Sequence, residues 1–177
     1  MALNSRIVAV AVVACCWSVT AAAQSLAAPN VVVIGPNLVT SGQPTAQALA
    51  TLSEQGFKAV IYLAPSSVSD AVKDEPELVA KQGLEFIHIP IPFGSPTEAH
   101  FESLSSALQR LQGQKVLVHC QLNLRASTMV FLHRVINGKE DPSAAWESVT
   151  RVWSPEGPWK HLTMAQLAKH GITFDPF

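Results

Sequence analysis

The chain has 177 residues, with 12 Lys and Arg against 13 Asp and Glu and 48% hydrophobic residues. The resulting net charge of −1 argues against broad nucleic-acid binding, which needs a basic surface that displaces counterions. Beyond the N-terminal segment, no stretch approaches the roughly 18 apolar residues of a membrane-spanning helix, so we expect no membrane span.

Residues 1–23 have the pattern of an export signal. Arg6 forms a short basic region, residues 7–19 are apolar, and three alanines at 21–23 offer a cleavage site before Gln24. We therefore expect a periplasmic or secreted protein with one mature domain at residues 24–177. A second interpretation is that residues 12–15, VVAC, form a lipoprotein box in which Cys15 carries a lipid anchor.

Strand-like runs alternate with amphipathic stretches along the mature chain, and Gly or Pro separates many of them. The predicted elements are strands at 31–35 and 38–42, a helix at 45–55, a strand at 59–64, a helix at 74–81, a strand at 84–91, a helix at 97–112, a strand at 115–120, and helices at 124–136, 141–153 and 159–169. This alternation predicts an α/β fold in three layers, with a mostly parallel central sheet and helices on both faces.

Cys120 is the last residue of a predicted strand, and Arg125 lies in the first turn of the helix that follows. It is also the one cysteine left after removal of residues 1–23, so the mature domain has no internal disulfide. The loop at 121–124 presents backbone amides at a helix N-terminus, where anions bind. The same field favours the thiolate form of Cys120, and Arg125 adds a planar fork of donors. We therefore predict that Gln121, Leu122, Asn123, Leu124 and Arg125 bind an oxyanion beside a nucleophilic Cys120.

Three neighbours are predicted to support this loop. His119 is expected to orient the site, with its ring bonded to nearby backbone. Ser127 either hydrogen-bonds the sulfur or is an ordinary helix serine, and Asn123 either braces the loop or is a turn residue. No metal is expected on His119 and Cys120, because adjacent strand residues point to opposite faces, and no cofactor is expected.

The stretch HCQLNLRAS (119–127), together with LVTSGQPT (38–45) and FIHIPI (86–91), resembles the bacterial phosphatase-like proteins of the dual-specificity tyrosine phosphatase superfamily. These are related to beta-lactamase hydrolase-associated domains, and the resemblance covers about residues 31–153. It implies a phosphomonoesterase in which Cys120 attacks phosphorus, Arg125 holds the phosphoryl oxygens, and water hydrolyses a cysteinyl-phosphate. The implied substrate is a phosphorylated small molecule or protein.

Two departures from the family pattern leave alternatives open. Four residues separate Cys120 from Arg125 instead of five, a spacing also found in rhodaneses, so a sulfurtransferase is the main rival. The loop after the strand at 84–91 has no aspartate where relatives place the general acid, which favours aryl phosphates with good leaving groups. A catalytically impaired anion-binding module is the third interpretation.

Other ionisable side chains are candidates for the missing acid. Glu98 and His100 are candidates if the loop folds over the site, and we take Glu98 as the catalytic one, although both also fit the first turn of a helix. Asp70, Asp74 and Glu75 are weaker candidates in or near another loop on the same side.

Overall fold

The computed structural model describes residues 26–177, so the predicted signal segment at 1–23 and Cys15 lie outside the described residues. Its strands are β1 (Val32–Gly35), β2 (Leu38–Ser41), β3 (Ala59–Tyr62), β4 (Glu85–His88) and β5 (Val116–His119). Its helices are α1 (Ala46–Leu49), α2 (Glu75–Ala80), α3 (Glu98–Arg110), α4 (Leu124–Ile136), α5 (Pro142–Thr150) and α6 (Gly157–Lys169), with a 3₁₀ turn at Ser53–Gln55. None of the helices within residues 26–177 combines the length and the apolar composition needed to cross a bilayer.

The five strands form one sheet in the order β1-β2-β5-β3-β4. β1 pairs with β2 in antiparallel fashion, whereas the pairs β2–β5, β5–β3 and β3–β4 are parallel. The prediction of a mostly parallel sheet is therefore confirmed. Because β2 to β5 run in one direction, their carboxyl ends meet at a single edge of the sheet.

Helices cover both faces of this sheet. Ile61 and Val118 pack into an apolar cluster with α3, α4, α5 and α6, whereas Val60 and Leu117 pack with α1 and α2 on the other face. The alternation follows from the period of two in a strand. All four residues of β3 are buried, as expected for a central strand that is covered on both sides. The predicted three-layer arrangement is confirmed.

The observed helix bounds agree closely with the predicted ones, except for the predicted helix at 45–55. Thr45 caps α1 through a hydrogen bond from Ala48 N, but the helix ends at Leu49. The amide of Thr51 then bonds to the residue three positions back, and a separate 3₁₀ turn ends at Gly56, whose φ is +83°. The helix α4, which leads away from the candidate site, begins and ends where it was predicted to do so.

Candidate active site

Cys120 lies at the carboxyl edge of the sheet, directly after the central strand β5. Its amide donates to Ser41 O at 3.2 Å, and His119 O accepts from Leu63 N at 2.8 Å. These bonds tie the residues around Cys120 to both neighbouring strands. The side chain of Cys120 is buried. Parallel α/β sheets bind their ligands at this edge, so the sulfur has the position of a reactive group.

The loop after Cys120 is held against the end of β2. Gln43 N donates to Gln121 O at 2.9 Å. A Cβ atom on Gly42 would lie 2.6 Å from Gln121 O and 2.9 Å from Pro29 Cβ, so only glycine fits between the loop and the N-terminal segment. Residues 41–44, SGQP, therefore provide the surface against which the loop after Cys120 packs.

Asn123 gives the loop its turn. Its φ of 68° lies in the left-handed region, which asparagine tolerates better than most residues. The side-chain amide donates to Asn30 O at 2.7 Å and to Thr40 Oγ1 at 3.0 Å. Among the described residues, it makes no capping bond to α4. The first amides of α4 therefore keep their hydrogen-bonding capacity and the positive end of the helix dipole for a ligand.

The guanidinium of Arg125 is oriented by two contacts from the loop after β4. Nε donates to Ile91 O at 2.9 Å, and the guanidinium carbon lies 5.1 Å from the centre of the Phe93 ring. Arg125 is only 5% exposed. Within residues 26–177, neither terminal nitrogen of the guanidinium has a hydrogen-bond partner. The side chain is thus preorganised, with donors left for an oxyanion.

His119 makes a different contact from the one expected. Its Nε2 lies 2.6 Å from Glu75 Oε1, so the ring bonds a carboxylate and not the backbone. Gln43 Nε2 donates to the other oxygen of Glu75 at 2.9 Å, and Tyr62 stacks on the His119 ring at 4.8 Å. Glu75 is 2% exposed. The role of His119 as an orienting residue stays a prediction, but the partner predicted for it was wrong, because α2 brings a buried carboxylate to the ring.

Tyr62 reports the electrostatics of this edge. Burial is the largest cause that raises the pKa of Tyr62 to about 12; electrostatic interactions with Glu75, Asp70 and Cys120 raise it further, whereas Arg125 lowers it. Tyr62 therefore remains a neutral hydroxyl at physiological pH. The sequence gives no signal for Tyr62, which reads only as part of an apolar strand.

Glu98 is directed elsewhere. It is the first residue of α3, and its carboxylate pairs with Lys169 in the last turn of α6. The hydrogen bond from Lys169 is the largest cause that lowers the pKa of Glu98. A lowered pKa disfavours the protonated form that a general acid requires, so the geometry argues against the role predicted for Glu98.

The remaining predicted residues surround the loop. Ser127 Oγ donates to Leu124 O at 3.2 Å, as a helix serine does, so the structure gives no support to a bond with the sulfur. Gln121 Nε2 donates to Asp70 Oδ1 at 2.7 Å. The side chain of Leu122 is 51% exposed beside the loop. The structure thus brings Asp70, one of the weaker candidates, to the residue that follows Cys120.

An aromatic cluster borders the arginine. Phe93, which is 41% exposed, packs against Trp153 and Trp159 with ring centres 5.9 and 5.7 Å away. Trp159 Nε1 donates to Phe93 O at 2.8 Å and so holds the loop after β4 in place. An aromatic ring therefore occupies the part of the loop in which the family resemblance implies an aspartate.

Comparisons with known proteins agree with this geometry. The family model described as "DSP-PTPase phosphatase fused to NAD+ Kinase" matches residues 32–164. A beta-lactamase hydrolase-like protein of Xylella fastidiosa is 30% identical over 113 residues, which are 62% of this chain and 26% of the relative. This chain thus spans about a quarter of the length of the curated relatives it matches.

Two solved structures are similar over most of their length. A DUF442 protein of Shewanella putrefaciens has a TM-score of 0.74 at 30% identity, covering 81% of this chain and 92% of that one. The protein Tk-PTP, solved in its active form, has a TM-score of 0.61 at 25% identity, covering 80% of this chain and 95% of that one. The predicted cysteine-phosphatase fold is therefore confirmed. The chain belongs to the DSP-PTPase phosphatase family that the matching family model describes.

Proposed function

We propose that this protein is an exported, cysteine-dependent phosphatase that hydrolyses phosphomonoesters, with aryl or tyrosine-type substrates favoured. The observation that carries the proposal is the position of Cys120. Its buried sulfur precedes the open N-terminus of α4, beside a guanidinium that Ile91 and Phe93 hold in place. The amides at the start of α4 and the guanidinium are donors for the negatively charged oxygens of a phosphoryl group.

The reaction proceeds in two displacements. In the first, the sulfur of Cys120 attacks phosphorus, an S–P bond forms, and the bond from phosphorus to the leaving oxygen breaks. The leaving oxygen takes up a proton. In the second, water attacks the cysteinyl-phosphate, the S–P bond breaks, and inorganic phosphate is released. Arg125 and the loop amides hold the phosphoryl oxygens through both transition states.

Two features favour aryl substrates. The partly exposed ring of Phe93 provides apolar surface next to Arg125, and the exposed side chain of Leu122 provides apolar surface on the loop after Cys120; an aromatic leaving group can pack against such surface. A phenol is also expelled more easily than an alcohol, so its departure depends less on proton donation. A phosphorylated small molecule and a phosphotyrosine side chain both satisfy these conditions.

A substrate panel tests the proposal. We expect the purified protein to release phosphate from p-nitrophenyl phosphate, more slowly from glycerol phosphate, and to form no thiocyanate from thiosulfate and cyanide. Thiocyanate without phosphate release would instead identify a sulfurtransferase, the rival that the four-residue spacing favours. Activity on neither substrate, with phosphate protecting Cys120 from alkylation, would identify a non-catalytic anion-binding module.

Export is a separate part of the proposal, supported by the basic, apolar and small-residue pattern of residues 1–23. Expression of the full chain in a Gram-negative host, followed by cell fractionation and N-terminal sequencing, tests it. We expect a periplasmic or secreted protein that begins at Gln24. An acylated N-terminus at Cys15 would show a lipoprotein instead, and a cytoplasmic chain that still begins at Met1 would contradict export altogether.

A further inference from the structure

The loop between β3 and α2 brings a carboxylate to the candidate active site. Asp70 Oδ1 accepts a hydrogen bond of 2.7 Å from Gln121 Nε2, and Gln121 directly follows Cys120. Asp70 is exposed, so it is open to a substrate that enters from solvent. Within residues 26–177, its second carboxylate oxygen has no hydrogen-bond partner.

The other carboxylates near this edge are less suited to proton transfer. Both oxygens of Glu75 are engaged, one by His119 and one by Gln43, and the side chain is buried. Glu98 is paired with Lys169 on α6. Asp74 is exposed, lies four residues from Asp70, and makes no capping bond to α2 among the described residues. Of these four carboxylates, only Asp70 bonds to the loop at 121–124.

Electrostatic coupling supports the same placement. Asp70 and Cys120 both raise the pKa of Tyr62, and Arg125 lowers it. Tyr62 lies at the end of β3, from which the loop carrying Asp70 departs. The aspartate, the sulfur and the guanidinium therefore act on one side chain at the same edge of the sheet.

We propose that Asp70, positioned by Gln121, is the general acid and base of the reaction at Cys120. The role rests on the proposed phosphatase function. In the first displacement, protonated Asp70 gives its proton to the leaving oxygen as the bond from phosphorus to that oxygen breaks. In the second, the Asp70 carboxylate takes a proton from the attacking water as the S–P bond breaks. The proton is thereby returned to Asp70, and the sulfur leaves as the thiolate.

Asp70→Asn tests this role through the leaving group. With phenyl phosphate, we expect kcat/KM to fall by roughly 10²- to 10⁴-fold, the usual contribution of general acid catalysis. The leaving group of p-nitrophenyl phosphate needs little protonation. With this substrate we expect the fall in kcat/KM to be smaller than with phenyl phosphate, by a factor of several to several tens. Asp74→Asn is the matched control, since it removes a carboxylate from the same connection, and we expect it to match the unmodified protein on both substrates.

The pH profile of kcat/KM gives a second readout. We expect Asp70→Asn to lose the alkaline limb of the profile, which a required acid produces, and to keep the acidic limb. Glu75, Cys120 and Arg125 act together with Asp70 on the pKa of Tyr62. Lys73 and Asp74 follow Asp70 in the same connection, and all of these ionisable groups are unchanged in this variant. Gln121→Leu should lower kcat but retain the alkaline limb, because it displaces the acid without removing it.

The two proposals fail in distinguishable ways. If Asp70→Asn and the unmodified protein hydrolyse phenyl phosphate equally, Asp70 is not the acid, while the phosphatase function stands. An equal loss on phenyl and p-nitrophenyl phosphate, or an equal loss in Asp74→Asn, also overturns the role. If the unmodified protein hydrolyses neither ester, the phosphatase function fails and the role of Asp70 fails with it.

Discussion

Replacing Cys120 by serine is expected to abolish the release of phosphate from p-nitrophenyl phosphate while leaving oxyanion binding in place. A hydroxyl in this position is a far weaker nucleophile than a thiolate. Loss of an essential nucleophile lowers kcat by roughly 10⁴- to 10⁶-fold. The loop amides and Arg125 do not depend on the sulfur, because Ile91, Phe93 and Asn123 hold them.

Steady-state kinetics and calorimetric titration with inorganic phosphate separate these effects. The variant should bind phosphate with an affinity close to that of the unmodified protein, and its thermal unfolding should be similar. Alkylation with iodoacetamide gives a further control, because it should inactivate the unmodified protein, and inorganic phosphate should slow that inactivation. If Cys120→Ser turns over substrate at an appreciable rate, the covalent mechanism is wrong.

Replacing Arg125 by lysine is the second large expected effect. Lysine keeps the charge but loses the planar fork that binds two phosphoryl oxygens at once. It also cannot reproduce both the bond from Nε to Ile91 O and the contact with the Phe93 ring. We expect kcat/KM to fall by roughly 10²- to 10³-fold, the loss typical of removing a donor that stabilises a transition state.

Arg134→Lys is the matched control for this substitution. Arg134 lies on the same helix, in its last turn, where it pairs with Glu140. The same chemical change there should leave kcat/KM for p-nitrophenyl phosphate within a factor of two. Equal losses in both variants would show that the effect is general to the helix, and an unaffected Arg125→Lys would remove the guanidinium from the mechanism.

Much of the fold follows from local patterns. The apolar runs of β3 and β5 and the Gly and Pro residues between elements predict the alternation of strands and helices. The predicted bounds of α4 agree with the observed ones. These signals are local because hydrophobic periodicity, caps and turn residues act within a few positions of the chain. The sequence also predicts that Cys120 lies close to a helix N-terminus, because a short loop keeps the end of a strand near the start of the helix that follows.

The partners of the site residues were decided by tertiary packing. Glu98 was recognised as a residue of a first helical turn, but only the position of α6 shows that Lys169 takes its carboxylate. His119 and Glu75 are 44 residues apart in the chain, and Gln121 and Asp70 are 51 apart. No periodicity links such pairs.

The sequence by itself therefore determined the architecture, and it identified the candidate nucleophile and the candidate anion-binding loop. Only the tertiary structure decided which carboxylate lies beside that loop and which residue the His119 ring contacts. The physical reason is one of range. Backbone conformation and the burial pattern depend on near neighbours in the chain, whereas a side chain's partner depends on how separate elements pack around a common core.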